Sequence, residues 1–186
     1  AEWKLLPSLM RQEIKISESS LLSRFKQSAA MLTSARPNSS FDWIFLMQHY
    51  GVPTRLLDWS ENPLVAAYFA IEYSQDQLEQ DAAIWVLRPN VLNRNAHIDE
   101  NEEDDYIPSF DDDELEAYST ERVRIDKRMK LFPVATIATR NNPRIQAQLG
   151  TFTIHHNAKI SIEDVGDGAH CEKFVIPKQY KERIRD

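Results

Sequence analysis

QHYGVPTRLLDWSENPLVAAYFA, at residues 48–70, is the stretch of this 186-residue chain that decides its fold. A helix is predicted over 41–49, where apolar side chains recur at the turn period, and the Gly and Pro that follow end it. The adjacent leucines within 54–58 predict a short buried strand. Pro63 then occupies the first turn of another helix, a position that Pro favours. The apolar face predicted for this helix consists of Leu64, Ala67, Tyr68 and Ile71.

The rest of the chain extends this pattern in both directions. Residues 17–33 predict a helix, with Ser17 as its N-cap and an apolar stripe at helical spacing. Towards the C-terminus, apolar runs of strand length replace helical periodicity. They lie at 82–87, 134–138, 145–154 and 174–176, and a helix is predicted to begin at Lys178. Helices come first and strands later, which predicts an α+β fold. With four glycines in all and no Gly-rich phosphate loop, the sequence disfavours Rossmann and Walker folds.

The net charge of −7 is unevenly distributed. Residues 99–116 hold eleven acids and no Lys or Arg, so the remainder of the chain is mildly basic, at +4. A block of like charges repels itself and buries little surface, which predicts a solvated, mobile insertion at 99–116. The alternative is an acidic flap that mimics nucleic acid or guards a basic cleft. Otherwise, residues 1–186 are interpreted as a single domain.

The sequence also bears on compartment and processing. Cys171 is the single cysteine, which excludes an internal disulfide framework and fits a reducing compartment. No signal peptide and no apolar run of membrane-spanning length is present, so we expect a cytoplasmic protein without a membrane partner. The chain begins with Ala1 rather than Met. We therefore expect it to be a core excised from a longer protein.

Polar, ionisable and aromatic residues are concentrated in residues 48–62, between the helix and strand signals. An Arg can fork onto a phosphate, aromatic faces can stack on a heterocycle, and the helix N-terminus can bind an anion. The candidate binding residues here are His49, Tyr50, Thr54, Arg55, Trp59, Ser60 and Asn62. The alternative interpretation is an ion pair between Arg55 and Asp58 that holds a buried loop, with Trp59 as ordinary core.

A second candidate stretch is 141–155, NNPRIQAQLGTFTIH. Strand alternation places Gln146 and Gln148 on one face and their apolar neighbours on the other. Two amides on one face can bind an amide or a ribose, and Phe152 adds an aromatic surface. The alternative is an exposed polar strand face. Within these two stretches, we expect residues 50–60 and 146–152 to line a single pocket.

Other chemistries have less support in the sequence. His155, His156, His170 and Cys171 are possible metal ligands, but adjacent histidines on a strand point in opposite directions and no paired ligand spacing is present. No metal site is therefore predicted. His49 with Asp58 or Glu61 could form the acid–base pair of a hydrolase or nuclease.

Residues 48–70 resemble the central block of FRG domains, and WKLLPSLMR near the start and RIQAQLGTFTIH near the end resemble its flanking blocks. The resemblance extends along nearly the whole chain. The Phe/Tyr-Arg-Gly motif of these domains is absent here.

The pattern is also similar to that of ADP-ribosyltransferases of the Arg-Ser-Glu class. The segment LLDWSENPLVAAYFA resembles their Ser-containing strand and the helix after it, and Gln146-Ala147-Gln148 before Gly150-Thr151-Phe152 resembles their Glu-bearing strand. This resemblance implies an ADP-ribosyltransferase-like split antiparallel sheet with N-terminal helices packed against it. It implies NAD as the substrate, held by the candidate binding residues above together with Gln146 and Phe152. Gln148 occupies the place of the catalytic Glu, where an amide keeps the hydrogen bond and loses the charge.

The function implied is transfer of ADP-ribose to a macromolecule, in a bacterial toxin or phage-defence setting, with Gln148, Asp58 and Glu61 as candidate catalytic residues. Two alternatives stay open: an inactive module that senses a nucleotide or docks a partner, and a hydrolase or nuclease that uses His49 and Asp58. The acceptor and the oligomeric state are not determined by the sequence.

Overall fold

The computed structural model describes residues 2–11, 16–29, 37–72, 79–98, 106–137 and 149–185. The helices in these ranges are α1 (Ser8–Arg11), α2 (Glu18–Ala29), α3 (Ser40–His49), α4 (Pro63–Ile71), α5 (Pro89–Asn95), α6 (Thr120–Ile125) and α7 (Lys181–Arg185). The strands are β1 (Leu56–Ser60), β2 (Ala82–Leu87), β3 (Val134–Thr136), β4 (Gly150–Ile154) and β5 (Cys171–Ile176). Short 3₁₀ turns occupy Asp113–Tyr118, Ile162–Asp164 and Lys178–Tyr180.

Local capping chemistry explains where the helices begin. Ser39 and Asp42 form a capping box at the start of α3, in which each side chain accepts the other residue's backbone N–H. Ser17 precedes α2, and its hydroxyl accepts the Ser20 N–H at 3.3 Å, as an N-cap should. Asn62 caps α4, whose first residue is Pro63. The predicted starts of these three helices are thus confirmed to within a residue.

The strands form two antiparallel sheets. The first has the order β1-β4-β3 and the second pairs β2 with β5. Leu56 pairs with Ile154 at one end of the β1–β4 ladder, and Ser60 pairs with Gly150 at the other. The prediction of an α+β fold with antiparallel sheets is confirmed.

The order of elements along the chain differs from the simple helix-then-strand expectation. Strand β1 lies between α3 and α4, and helices α5 and α6 separate strands of the second half. The partner of β1 is β4, supplied far later in the chain. A short apolar run such as 54–58 carries no periodicity of its own, so only this long-range pairing fixes its bounds.

The core lies between α3 and the first sheet. Phe41 and Ile44 of α3 pack with Leu56, Phe152 and Ile154 of β1 and β4. Helix α2 packs on the other side of α3, in a second cluster that contains Leu22, Ala29, Trp43 and Met47. Of the N-terminal helices, α3 therefore covers the sheet directly and α2 covers α3.

The acidic segment is in part integral to this core. Phe110 lies 5.0 Å from the ring of Phe41 and 4.7 Å from that of Phe45, measured between centroids. Leu115 is fully buried in the same cluster. Residues 99–105 lie outside the described ranges, but for 106–116 the prediction of a mobile excursion is wrong. The reason is that apolar side chains separate the acids, so the chain buries one set while the carboxylates Asp111, Asp113, Glu114 and Glu116 remain exposed.

The apolar face of α4 also differs from the prediction. Leu64 is 78% exposed and Tyr68 is 56% exposed, whereas Ile71 is buried. The side of α4 that faces inward carries Val65, Ala66 and Ala70. In a helix this apolar, periodicity cannot distinguish one face from another. No helix within the described ranges is long and apolar enough to cross a membrane.

Candidate functional site

A pocket of about 440 Å³ opens between the first sheet, helix α4 and strand β2. One wall is formed by β1 with the first half of β4, and another by the inward side of α4. The last turn of α3 and residues of β2 complete it. Its volume lies in the range of small-molecule sites in proteins.

The antiparallel register brings the two candidate stretches together at this pocket. Asp58 pairs with Phe152, and Ser60 pairs with Gly150, in the β1–β4 ladder. These four residues and Trp59 all line the pocket. Gln146 and Gln148, predicted on the same strand, lie outside the described residues.

Asp58 is the acidic side chain among the described residues that line the pocket. Its Oδ2 accepts a hydrogen bond from Gln48 Nε2 at 2.7 Å. The other end of the Gln48 amide accepts from the hydroxyl of Thr54 at 2.5 Å. The Asp58 carboxylate is therefore held in place by Gln48, and the Gln48 amide is in turn held in place by Thr54.

Indole rings contribute to the apolar part of the pocket. Trp59 is fixed by a hydrogen bond from its Nε1 to Thr153 Oγ1, at 3.1 Å. Trp85 of β2 lines the pocket as well, and Lys173 Nζ lies 5.3 Å from its ring centroid. Phe69 of α4 also contributes to the lining. Flat rings beside one carboxylate make a surface suited to a planar, positively charged heterocycle.

His49 and Tyr50, predicted as binding residues, are separated by the end of α3. His49 lines the pocket, and its ring makes an edge contact with Tyr50 at 5.1 Å. Tyr50 lies outside the lining and packs against Phe25, with 6.1 Å between the centroids. The predicted contact between Tyr50 and a ligand in this pocket is thus corrected, because the C-cap residue of α3 turns towards α2.

Arg55 is not in the pocket. Its side chain is 3% exposed and forms an ion pair with Glu18 at 2.8 Å. Its two terminal nitrogens donate to the carbonyls of His155 at 2.6 Å and Tyr118 at 2.8 Å. The predicted contact with a phosphate is corrected, since all three arms of the guanidinium bind protein acceptors. The alternative interpretation, in which Arg55 forms a structural ion pair, gives the correct role for this side chain. Its predicted partner was wrong, because the acid is Glu18 and not Asp58.

Three further candidates lie outside the pocket lining. Thr54 is buried and supports Gln48. Glu61 follows β1 and is exposed, with its backbone N–H donating to the Leu149 carbonyl at 3.0 Å. Asn62 accepts the Leu64 N–H at 2.9 Å. Asn62 thus caps one N–H of the α4 N-terminus itself, and the use of that terminus as an anion site stays a prediction.

The histidines considered as metal ligands are buried. Burial, and secondly the charge of Arg55, lower the pKa of His155 to about 3. Burial also lowers the pKa of His156, although its hydrogen bond with Asn157 opposes that shift. His170 Nε2 lies 2.7 Å from the Ile162 carbonyl. In the described part of the chain, no group of three or more His, Cys, Asp or Glu side chains could hold a metal ion.

Sequence reasoning missed Gln48 and Trp85 as site residues. Gln48 lies one turn after Phe45 on α3, so the helical period that places Phe45 against the sheet also places Gln48 there. That period was a usable signal. Trp85 lies within the apolar run AAIWVL, which has the composition of plain core, and only the second sheet brings it to the pocket.

The fold and site define an α+β domain with a small-molecule pocket at the edge of an antiparallel sheet. The family model of the FRG domain matches residues 1–79, so this part of the chain is similar to FRG domains. Neither a curated protein nor a solved structure matches the chain. The match includes Gln48, Asp58 and α4, while the resemblance predicted for the flanking block near the C-terminus remains a prediction.

Proposed function

We propose that this domain binds NAD with the nicotinamide-riboside end in the pocket, and that it transfers ADP-ribose to a macromolecular acceptor. The observation that supports this most is the β1–β4 register, which sets Asp58 and Ser60 beside Phe152 within a pocket walled by indole rings. Oxidised nicotinamide is a planar cation, and a carboxylate beside aromatic rings favours such a group.

The charges around the pocket support this orientation of the ligand. Among the described residues that line it, none is Lys or Arg. Among these described lining residues a pyrophosphate would meet no counter-charge, and it would lie near the Asp58 carboxylate. The volume also suits a nucleoside-sized group more than a whole dinucleotide. The phosphates and the adenosine would therefore remain outside the pocket.

Asp58 is the group proposed to assist the reaction. When the bond between nicotinamide and ribose C1′ breaks, the bonding electron pair leaves with nicotinamide, which becomes neutral, and positive charge develops on the ribose. A nearby carboxylate stabilises that charge. A nucleophile of the acceptor then bonds to C1′ and releases its proton to solvent. Gln148, predicted at the ribose, would supply a hydrogen bond without charge.

The test is nicotinamide release from NAD, measured by chromatography, together with calorimetric titration of NAD. We expect Asp58→Asn to slow release by about 10²–10³-fold, because the electrostatic stabilisation is lost. Asp113→Asn is the matched control, since Asp113 is exposed and outside the lining, and it should release nicotinamide at the wild-type rate.

Other results would distinguish the alternatives. Tight NAD binding without release would favour the sensing or docking module. Metal-dependent cleavage of nucleic acid without NAD would favour the hydrolase that uses His49 and Asp58. Absence of both NAD binding and release would refute the proposal.

A further inference from the structure

A chain of hydrogen bonds leads from the backbone of β1 to the carboxylate in the pocket. The Leu56 N–H lies 3.1 Å from Thr54 Oγ1. Thr54 Oγ1 lies 2.5 Å from Gln48 Oε1, and Gln48 Nε2 lies 2.7 Å from Asp58 Oδ2. We name Thr54, Gln48 and Asp58 the relay. Asp58 lies on β1, Thr54 lies two residues before β1, and Gln48 lies on α3, so the relay also joins α3 to this strand.

The hydrogen-bond polarity of the relay follows from its two ends together. A backbone N–H can only donate, so Thr54 Oγ1 accepts from Leu56 with one of its two lone pairs, and its proton is available for the Gln48 amide. At the other end, the Asp58 carboxylate accepts from Gln48 Nε2. The NH₂ end of the amide therefore faces Asp58, and its carbonyl end faces the hydroxyl proton of Thr54.

Burial makes this orientation hard to reverse. Thr54 is 1% exposed, so its hydroxyl has no water to choose as an alternative partner. If the Gln48 amide flipped, its carbonyl would face the Asp58 carboxylate, and two groups that only accept would repel each other. The Thr54 hydroxyl would also have to turn its proton away from the amide and would lose the hydrogen bond that it donates. The amide is therefore held in one orientation, in which it donates to an acceptor-only, ionised carboxylate.

We propose that Gln48 is the positioning residue of this pocket, oriented by Thr54 so that it aims Asp58 at the ligand. The inference rests on the proposed function, since it assigns to Asp58 the part that contacts NAD. Gln48 acts through Asp58, because its amide fixes one oxygen of the carboxylate. Thr54 acts one step further away, through the amide.

The experiment compares Thr54→Val, which keeps the shape of the side chain and removes the hydroxyl, with Thr54→Ser, which keeps the hydroxyl. Gln48→Leu removes the amide. Thr120→Val is the matched control, a buried Thr in α6 outside the pocket lining. Thermal unfolding first shows that each variant is folded. Two readouts follow: the ¹H–¹⁵N resonances of the Gln48 side-chain amide without ligand, and the rate of nicotinamide release from NAD.

We expect Thr54→Val to shift the Gln48 amide resonances and to slow release by about 2- to 10-fold, the cost of a lost hydrogen bond between neutral groups. Gln48→Leu should slow release by about 10- to 100-fold, because it removes the hydrogen bond to the charged Asp58 carboxylate. Thr54→Ser and Thr120→Val should keep both the resonances and the wild-type rate. Rescue by Ser distinguishes positioning from a general loss of packing, because Ser is smaller than Val and packs less well.

Release at the wild-type rate from a folded Thr54→Val or Gln48→Leu variant overturns the proposal, even if Asp58→Asn is slow and the proposed function stands. If the wild-type protein releases no nicotinamide, the proposed function fails. The Gln48 amide resonances, measured without ligand, then test whether Thr54 orients Gln48. Resonances that shift in Thr54→Val and stay in Thr54→Ser support it, and resonances unchanged in Thr54→Val overturn it.

Discussion

Replacing Arg55 should destabilise the fold and should not act as a selective loss of ligand binding. The Arg55 side chain is 3% exposed and Glu18 is 12% exposed, and their atoms lie 2.8 Å apart. Arg55→Met keeps an apolar stem of similar length but leaves the Glu18 carboxylate and the carbonyls of Tyr118 and His155 without their donor. Breaking a buried ion pair in this way costs about 3–5 kcal/mol.

That cost translates into a large change in the melting temperature. For a domain of this size, each kcal/mol lowers the midpoint by about 2–4 °C, so we expect a fall of roughly 6–20 °C. The assay is thermal unfolding followed by far-ultraviolet circular dichroism. Arg122→Met is the matched control, because Arg122 and Glu116 form an ion pair in which both side chains are 59% exposed. An exposed pair contributes about 0–1 kcal/mol, so this variant should melt close to the wild type.

A double variant tests whether the unpaired Glu18 carboxylate causes the loss of stability. Glu18→Leu combined with Arg55→Met removes the unpaired carboxylate, so the double variant should be more stable than the sum of the two single changes predicts. The reasoning is refuted if Arg55→Met melts as close to the wild type as Arg122→Met does. It is equally refuted if the two single changes are simply additive, since the ion pair would then contribute nothing.

Two further predictions concern stability. The pKa of folded His155 is about 3 against an ordinary value of 6.5, so between these pH values the unfolded chain binds a proton that the folded chain does not. Stability should therefore decrease as the pH falls through this window, by at most about 1.4 kcal/mol per pH unit for this group. His155→Gln should flatten the decline in denaturant titrations, and an unchanged slope would contradict the assignment. Asn62→Ala should cost about 1 kcal/mol, because the Leu64 N–H loses its cap, while Asn62→Asp keeps it; equal urea midpoints for the two variants would argue against capping.

Much of the fold could be predicted because local signals and tertiary packing agree. The run at 82–87 forms a strand with the predicted bounds, and α3 begins one residue before its predicted start. In both, composition, periodicity and end signals point to the same element. The acidic segment shows the opposite case. Its charge indicated a mobile insertion, but Phe110 and Leu115 are enough to bring residues 106–116 into the core.

The site was predictable in outline and not in detail. The order of motifs predicts that residues 50–60 and 146–152 line one pocket, and the β1–β4 register places Asp58 of the first stretch opposite Phe152 of the second. The partner of Arg55 was not predictable, because Glu18 belongs to a helix with no local relation to the strand. Sequence spacing favoured Asp58, which lies three residues away. Along a strand, however, residues three apart point to opposite faces, so this pairing was disfavoured by geometry.

Arg55 and Asp58 nevertheless both affect the geometry of the pocket, because both depend on the register of the β1–β4 ladder. Arg55 immediately precedes β1, and His155 immediately follows β4, so they extend the antiparallel pairing beyond Leu56 and Ile154. The His155 N–H donates to the Arg55 carbonyl at 3.0 Å, and the Arg55 guanidinium donates back to the His155 carbonyl at 2.6 Å. A slip of one residue would break both bonds and would turn Asp58 to the opposite face of the sheet. The buried arginine thus contributes to the site without touching it, because it fixes the register that sets Asp58 opposite Phe152.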